Sequence, residues 1–157
     1  AFVSIQFDDK QYYKPKFPKE YPFSFEVPKY SELERIDNHL NLNFKKYKAK
    51  LHISYFSLDN DLETHTENSR RLAFNHTSKA NSISEIIYQN DERNVYGVKF
   101  DFDGTTATST QFFLTDSSNH FFRGALYFNT QKSDSLAIIE EYLKVDVTRI
   151  IETFCWK

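Results

Sequence analysis

The hydrophobic period of this chain switches back and forth between two and about 3.6, and the switches set the order of its elements. Apolar residues first recur at every second position, at Ala1, Val3, Ile5 and Phe7, and again at Tyr21, Phe23, Phe25 and Val27. A period of two puts alternate side chains on opposite faces of a strand. Leu40, Leu42 and Phe44 continue it, then Leu51, Ile53 and Tyr55, and the polar gap over 45–48 predicts a hairpin between them. At Leu62 the step becomes three and four. Leu62, His65, Ser69, Leu72, His76 and Ala80 share one stripe, widened by Ala73, and Asp59, Asn60 and Asp61 give helix-start chemistry, the two aspartates lying near the positive end of the helix dipole. This predicts a helix over 61–77.

Strand patterning returns over 83–88, 94–102, 106–115 and 121–129, with Asp103-Gly104 and the run 116–119 as turns. From Ser133 or Asp134 the helical step resumes through Leu136, Ile139, Leu143, Val147, Ile150 and Phe154. Such a helix, about twenty residues long, would span roughly 30 Å. The order strands, helix, strands, helix predicts an α+β fold: a twisted antiparallel sheet packed with two main helices. The length, 157 residues, suits a single globular domain over 1–157. Sixteen Phe and ten Tyr favour pleated, half-buried surfaces, and three glycines argue against a collagen-like or low-complexity chain.

The charge excludes some functions. With 20 basic and 22 acidic residues there is no basic excess for nucleic acid. Lys45, Lys46, Lys48 and Lys50 alternate with Tyr47, Ala49 and Leu51, which reads as the wet face of a hairpin. No apolar run reaches the ~20 residues of a membrane span. Cys155 stands alone, so no intrachain disulfide is expected, and it reads as a small buried hydrophobe of the closing helix. A chain that opens on Ala1 and holds no methionine is expected to be a processed form whose targeting segment is out of view.

Catalytic and metal signatures are weak. His65 and His76 fall on one predicted helix face, but eleven residues of helix separate them by about 16 Å, too far for one ion. No metal or cofactor is expected. There is no glycine-rich phosphate loop and no G-x-S-x-G elbow. The run 115–120 contains Asp, Ser and His, but triad members come from separated segments, so a turn is expected there. A hydrolase using His120 with Asp116 would need a nucleophile in reach and a cleft. Asp101 and Asp103 alternate on one strand and read as solvent-exposed, and Asn75-His76-Thr77 reads as a chance match to a glycosylation acceptor.

The most specific text lies over 111–129. Phe112, Leu114, Thr115, Asp116, Ser117, His120, Phe121, Gly124, Leu126, Tyr127 and Phe128 stand where a family pattern has Phe-x-Leu-Thr-Asp-Ser-Thr-x-His-Phe-x-x-Gly-x-Leu-Tyr-Phe, with Ser118 in place of the usual Thr. Here the chain resembles the gliding-motility lipoprotein GldD family. Pro22, Ser24, Phe25 and Glu26 continue the resemblance near the start. Ser69, Leu72, His76, Thr77, Lys79 and Ala80 resemble the family's first helix and its exit, and Tyr96-Gly97 the strand after it. Asp134-Ser135, Tyr142-Leu143-Lys144, Asp146, Glu152-Thr153 and Trp156-Lys157 resemble its closing helix. Thr105 departs from the family's usual Asn, and the family's leader with its lipid-bearing cysteine is not in this chain.

The resemblance implies a non-enzymatic, membrane-anchored, periplasm-facing lipoprotein of the cell envelope, required for gliding motility and type IX protein secretion. It would act as an assembly or scaffold component, with other gliding and secretion lipoproteins or envelope components as partners and a lipid anchor outside this chain. By element order the fold is similar to a PsbP/Mog1-type sandwich, an analogy of topology alone. The residues expected to meet a partner are Asp116, Ser117, Asn119, His120 and Arg123, because aromatics together with Arg are enriched at binding hot spots. The alternative is an envelope module for a small ligand or glycan, suggested by rings that could stack on sugars.

Overall fold

A computed structural model describes residues 5–75, 80–104, 108–129 and 134–157. The strands are β1 (Tyr12–Tyr13), β2 (Phe23–Ser24), β3 (Val27–Pro28), β4 (Glu32–Ile36), β5 (His39–Phe44), β6 (Ala49–Ser57), β7 (Ala80–Asn90), β8 (Val95–Gly104), β9 (Thr108–Thr115), β10 (His120–Phe128) and β11 (Cys155–Trp156). The helices are α1 (Leu62–Phe74) and α2 (Asp134–Thr153). Seven strands form one antiparallel sheet in the order β4-β5-β6-β10-β9-β8-β7. The α+β fold read from the sequence is therefore present, with a helix against each face of the sheet.

The register decides which residues share a face. Phe122 lies opposite Leu114 and Tyr55, and Leu126 opposite Leu51, so these side chains point one way. That face carries the larger core, where Leu143, Val147, Ile150 and Ile151 of α2, with Phe154 just past its end, pack against Leu40, Leu42, Leu51, Ile53 and Phe112. Phe100, Phe102, Phe113 and Phe121 point the other way and meet α1 through Ala73. Burying a Phe or Leu side chain contributes about 2 kcal/mol, so both faces of the central strands drive folding. The α1 face turns further than its stripe suggests. Ser69 and Ala73 are buried while Leu72 is 45% exposed. Small residues let the helix backbone sit close over the phenylalanines, which rotates Leu72 outward.

Three local expectations change. Residues 5–11 are not a strand, and the alternation at 1–4 lies outside the described residues. Phe7 instead stacks on Tyr142 with centroids 4.3 Å apart. The single strand expected over 21–27 is two short pieces, because between them the Glu26 N–H donates to Thr153 Oγ1 at 2.9 Å instead of to a neighbouring strand. β2 pairs with β11 and β3 with β1. Cys155 sits on β11, past the end of α2, and is half-buried. β4 adds a strand that hydrophobic patterning did not show. It is an edge strand bearing Glu32, Glu34 and Arg35. The lysines of the 45–50 segment are exposed while Tyr47, Ala49 and Leu51 are buried, as the alternation requires. The predicted exit of the first helix at 76–77, with His76, lies outside the described residues.

Asp101 differs from its reading as a wet acid. It lies on the α2 side of the sheet, its side chain 22% exposed and 3.5 Å from the buried Lys99 Nζ. The side chain of Asp103 is outside the described set. Gly97 marks the tightest approach in the sheet. A Cβ there would lie 2.0 Å from the Phe113 carbonyl oxygen, a backbone atom that cannot swing aside. Gly97→Ala is therefore expected to lower stability by about 3 kcal/mol, read as a reduced urea midpoint with an unchanged slope.

Candidate functional site

The turn between β9 and β10 is held by its own polar residues. Asp116 Oδ1 accepts the backbone N–H groups of Ser118 at 3.1 Å, Asn119 at 2.8 Å and His120 at 2.9 Å. Thr115 Oγ1 donates to the His120 carbonyl at 2.6 Å and accepts the Ser117 N–H at 3.0 Å. Ser117 has a φ of 75°, which this hydrogen-bonded frame supports. Burial raises the Asp116 carboxyl's proton affinity, but the N–H groups of Asn119, His120 and Ser118 outweigh it and hold the group below its ordinary value.

His120 and Arg123 begin on the same strand and end on opposite faces, because an odd spacing reverses direction in a strand. His120 Nδ1 is 2.6 Å from the Tyr55 hydroxyl, and its ring stacks on Trp156 at 5.0 Å. Trp156 Nε1 in turn donates to the Asn94 carbonyl at 3.0 Å. With Asp116 Oδ1 occupied by backbone donors and His120 Nδ1 by Tyr55, these two side chains do not form an acid–base dyad. Arg123 lies beside Ser54 on the α1 face and donates to Gln111 Oε1. Ser117 and Asn119 are exposed at the tip of the turn. The structure thus gathers Asp116, Ser117, Asn119 and His120 at one end of the sheet and puts Arg123 elsewhere.

A second polar cluster escaped the sequence reading. Asp146 on α2 is fully buried, and Lys10 Nζ approaches its Oδ1 at 2.9 Å. The Tyr12 hydroxyl donates to the same oxygen at 2.6 Å, and the Tyr30 hydroxyl donates to Oδ2. Lys10 also donates to the Tyr142 carbonyl at 2.9 Å and lies over the Tyr142 ring, 3.5 Å from its centroid. Nearby, Tyr47 donates to Asp8 Oδ2 at 2.7 Å. The clue in the sequence was Asp146 itself, three residues after Leu143 and four before Ile150, an acid on the apolar stripe of a helix. A buried carboxylate persists only when paired and hydrogen-bonded, and here a lysine and two tyrosines do that.

Among the described residues no group of three or more His, Cys, Asp or Glu side chains lies together as a metal site, and no helix is long and apolar enough to cross a membrane. His65 is 3.1 Å from Asp61 Oδ2 and stacks on Phe56. The geometry defines an α+β domain whose buried polar clusters tie its own strands, turns and N-terminal segment together. The family model described as gliding motility lipoprotein GldD matches residues 1–156, and the chain belongs to that family. Membership makes it a gliding-motility lipoprotein with a lipid anchor at the cell envelope. No curated protein matches the chain.

Two measurements test the Asp146 cluster. Asp146→Ala strands the Lys10 charge and is expected to cost about 3 kcal/mol, whereas the double change Lys10→Met with Asp146→Leu should recover most of it. Chemical denaturation of both variants checks this. Burial first, then the hydrogen bond to Asp146, pushes the Tyr12 and Tyr30 hydroxyls well above their ordinary 10.0. Burial does the same for Tyr47. Groups with raised folded values stabilise fully below the unfolded value and lose that contribution progressively as pH rises from there through the folded value. Lys10, lowered by burial, acts in the opposite sense, but the tyrosines outnumber it. The melting temperature should therefore fall as pH rises past about 10, and less steeply in Tyr30→Phe.

Proposed function

We propose that this chain is the folded body of a lipid-anchored envelope component that serves gliding motility and type IX secretion by holding partner proteins, as a scaffold and not as an enzyme. The observation that carries this reading is the contrast between the two edges of the sheet. β4 ends the sheet on one side with five residues, among them Glu32, Glu34 and Arg35. Short, charged edges discourage strand addition. β7 ends it on the other side with eleven residues, of which Glu85 alone is charged, and Glu85 is paired with Arg70 at 2.7 Å. Ile86 and Ile87 stand on opposite faces of β7, 41% and 79% exposed.

A long edge of this kind, with its single charge already paired, takes an extended segment from a partner protein. Backbone hydrogen bonds then supply affinity, and alternate side chains supply specificity. Family membership supports the setting, since a lipoprotein's acyl chains hold the domain at a membrane surface, facing the periplasm. The exposed turn residues Ser117 and Asn119, with Asp116 and His120 beside them, offer a second contact for the other gliding and secretion lipoproteins, and Arg123 would meet a partner separately, on the α1 face. The likeness of the element order to a PsbP/Mog1-type sandwich is an analogy of topology alone and carries no function across.

In-cell crosslinking of the intact lipoprotein, followed by mass spectrometry, tests the edge. Ile87→Lys replaces an exposed side chain and should change stability by no more than about 0.5 kcal/mol. It is expected to cut the recovery of gliding or type IX secretion components. Equal recovery from the variant would refute strand addition at β7, and recovery of a second copy alone would replace the scaffold with a homodimer.

A further inference from the structure

On the face opposite α2, a groove of about 380 Å³ runs between α1 and the β6–β10 pair. Its floor is a row of rings, with Phe56 on His65 at 4.6 Å and His65 on Phe121 at 5.2 Å. α1 contributes Asn68, Arg71 and Leu72, the sheet contributes Ser54 and Arg123, and no lining residue is acidic. Phe56 and Leu72 leave 40% and 45% of their surfaces open.

Arg123 is the unusual member. It is half-buried, and among the described residues its guanidinium bonds to Gln111 Oε1 with no carboxylate in ion-pair reach. A guanidinium has five N–H donors in a planar fork, so most of them remain uncommitted. Burial lowers its proton affinity, yet at neutral pH it stays charged. A buried charge without a counter-ion is costly, and an incoming anion would offset that cost. Arg71, bonded to Asn68 Oδ1 at 2.6 Å, adds a second positive charge to the groove wall.

We infer that this groove binds an acidic peptide segment of a partner protein, with a carboxylate in the Arg123 fork and a neighbouring apolar side chain on Phe56 and Leu72. The fork matches a carboxylate with two parallel hydrogen bonds. Asn68 and Asn75 border the groove with amides that suit a peptide backbone. The ring floor adds apolar contact that a bare inorganic anion would not use. The inference goes beyond strand addition, because it involves neither β7 nor its backbone.

The test is a two-dimensional NMR titration of the full chain with N-acetyl-Phe-Asp-amide and its uncharged isostere N-acetyl-Phe-Asn-amide. The Asp peptide should shift the amide signals of Ser54, Phe56, Asn68 and Arg123 and saturate in the low-millimolar range, and the Asn peptide should bind about tenfold more weakly. Arg123→Gln should erase that difference, and Arg123→Lys should keep part of it. Equal binding of the two peptides to the unaltered chain overturns the inference without relying on any variant's folding. So do shifts that cluster elsewhere, or a stronger response to inorganic phosphate or phosphatidylglycerol vesicles. No partner strand is present in this experiment, so a failure at β7 and a failure at the groove remain distinguishable.

Discussion

Phe112 and Phe113 are neighbours in sequence, yet they lie in different hydrophobic cores, as do Phe121 and Phe122. Consecutive buried rings are possible only where a strand is covered on both sides, and β9 and β10 are covered by α2 on one side and α1 on the other. This two-sided burial of the central pair organises the rest. It fixes the register, because a slip of one residue would exchange the two rows of rings. It requires Gly97 on β8 and Gly124 on β10, where a Cβ would strike the Phe113 carbonyl or the Phe112 ring. It also sets which helix each polar residue of the sheet must answer to.

The sequence was informative where burial was one-sided or periodic. The stripe Leu143, Val147, Ile150 gave α2, and the alternation Leu51, Ile53, Tyr55 gave β6. The misreadings have physical causes. Tyr21, Phe23, Phe25 and Val27 are all buried, so they look like one strand, but at Glu26 the backbone N–H turns to the Thr153 hydroxyl and the pieces on either side pair with different partners. β4 was silent because an edge strand half in water has little apolar pattern to show. Asp101 looked wet because an acid on a strand is usually wet. Its lysine neighbour Lys99, buried on the same face two residues earlier, is the condition that lets it sit under α2.

The motif over 111–129 proved to be a folding motif before anything else. Its Thr-Asp-Ser run builds the β9–β10 turn, its phenylalanines divide between the two cores, and Gly124 makes room for Phe112. Of its two charged side chains, Asp116 is answered by three backbone N–H groups, whereas Arg123 has the Gln111 amide oxygen and no ionic partner among the described residues. The candidate site was thus only partly legible. The sequence picks out Arg123 and His120 together, but strand parity, which depends on an odd spacing, separates them by the thickness of the sheet. The groove beside Arg123 is assembled from α1 and β6, and no local pattern could reveal that pairing.

Lys10 precedes every strand among the described residues, and its ammonium is locked to Asp146 on α2. A tug on the leading end passes Asp8, bonded to Tyr47, and then reaches this lock. The pull is taken up by a helix lying across several strands, so the load is spread over the whole α2 face instead of peeling strands off one at a time. An ion pair caged by Tyr12, Tyr30 and Tyr142 yields little until it breaks. Were a tether attached ahead of Lys10, that arrangement would work as a strain relief, passing its tension to α2 instead of to the edges of the sheet.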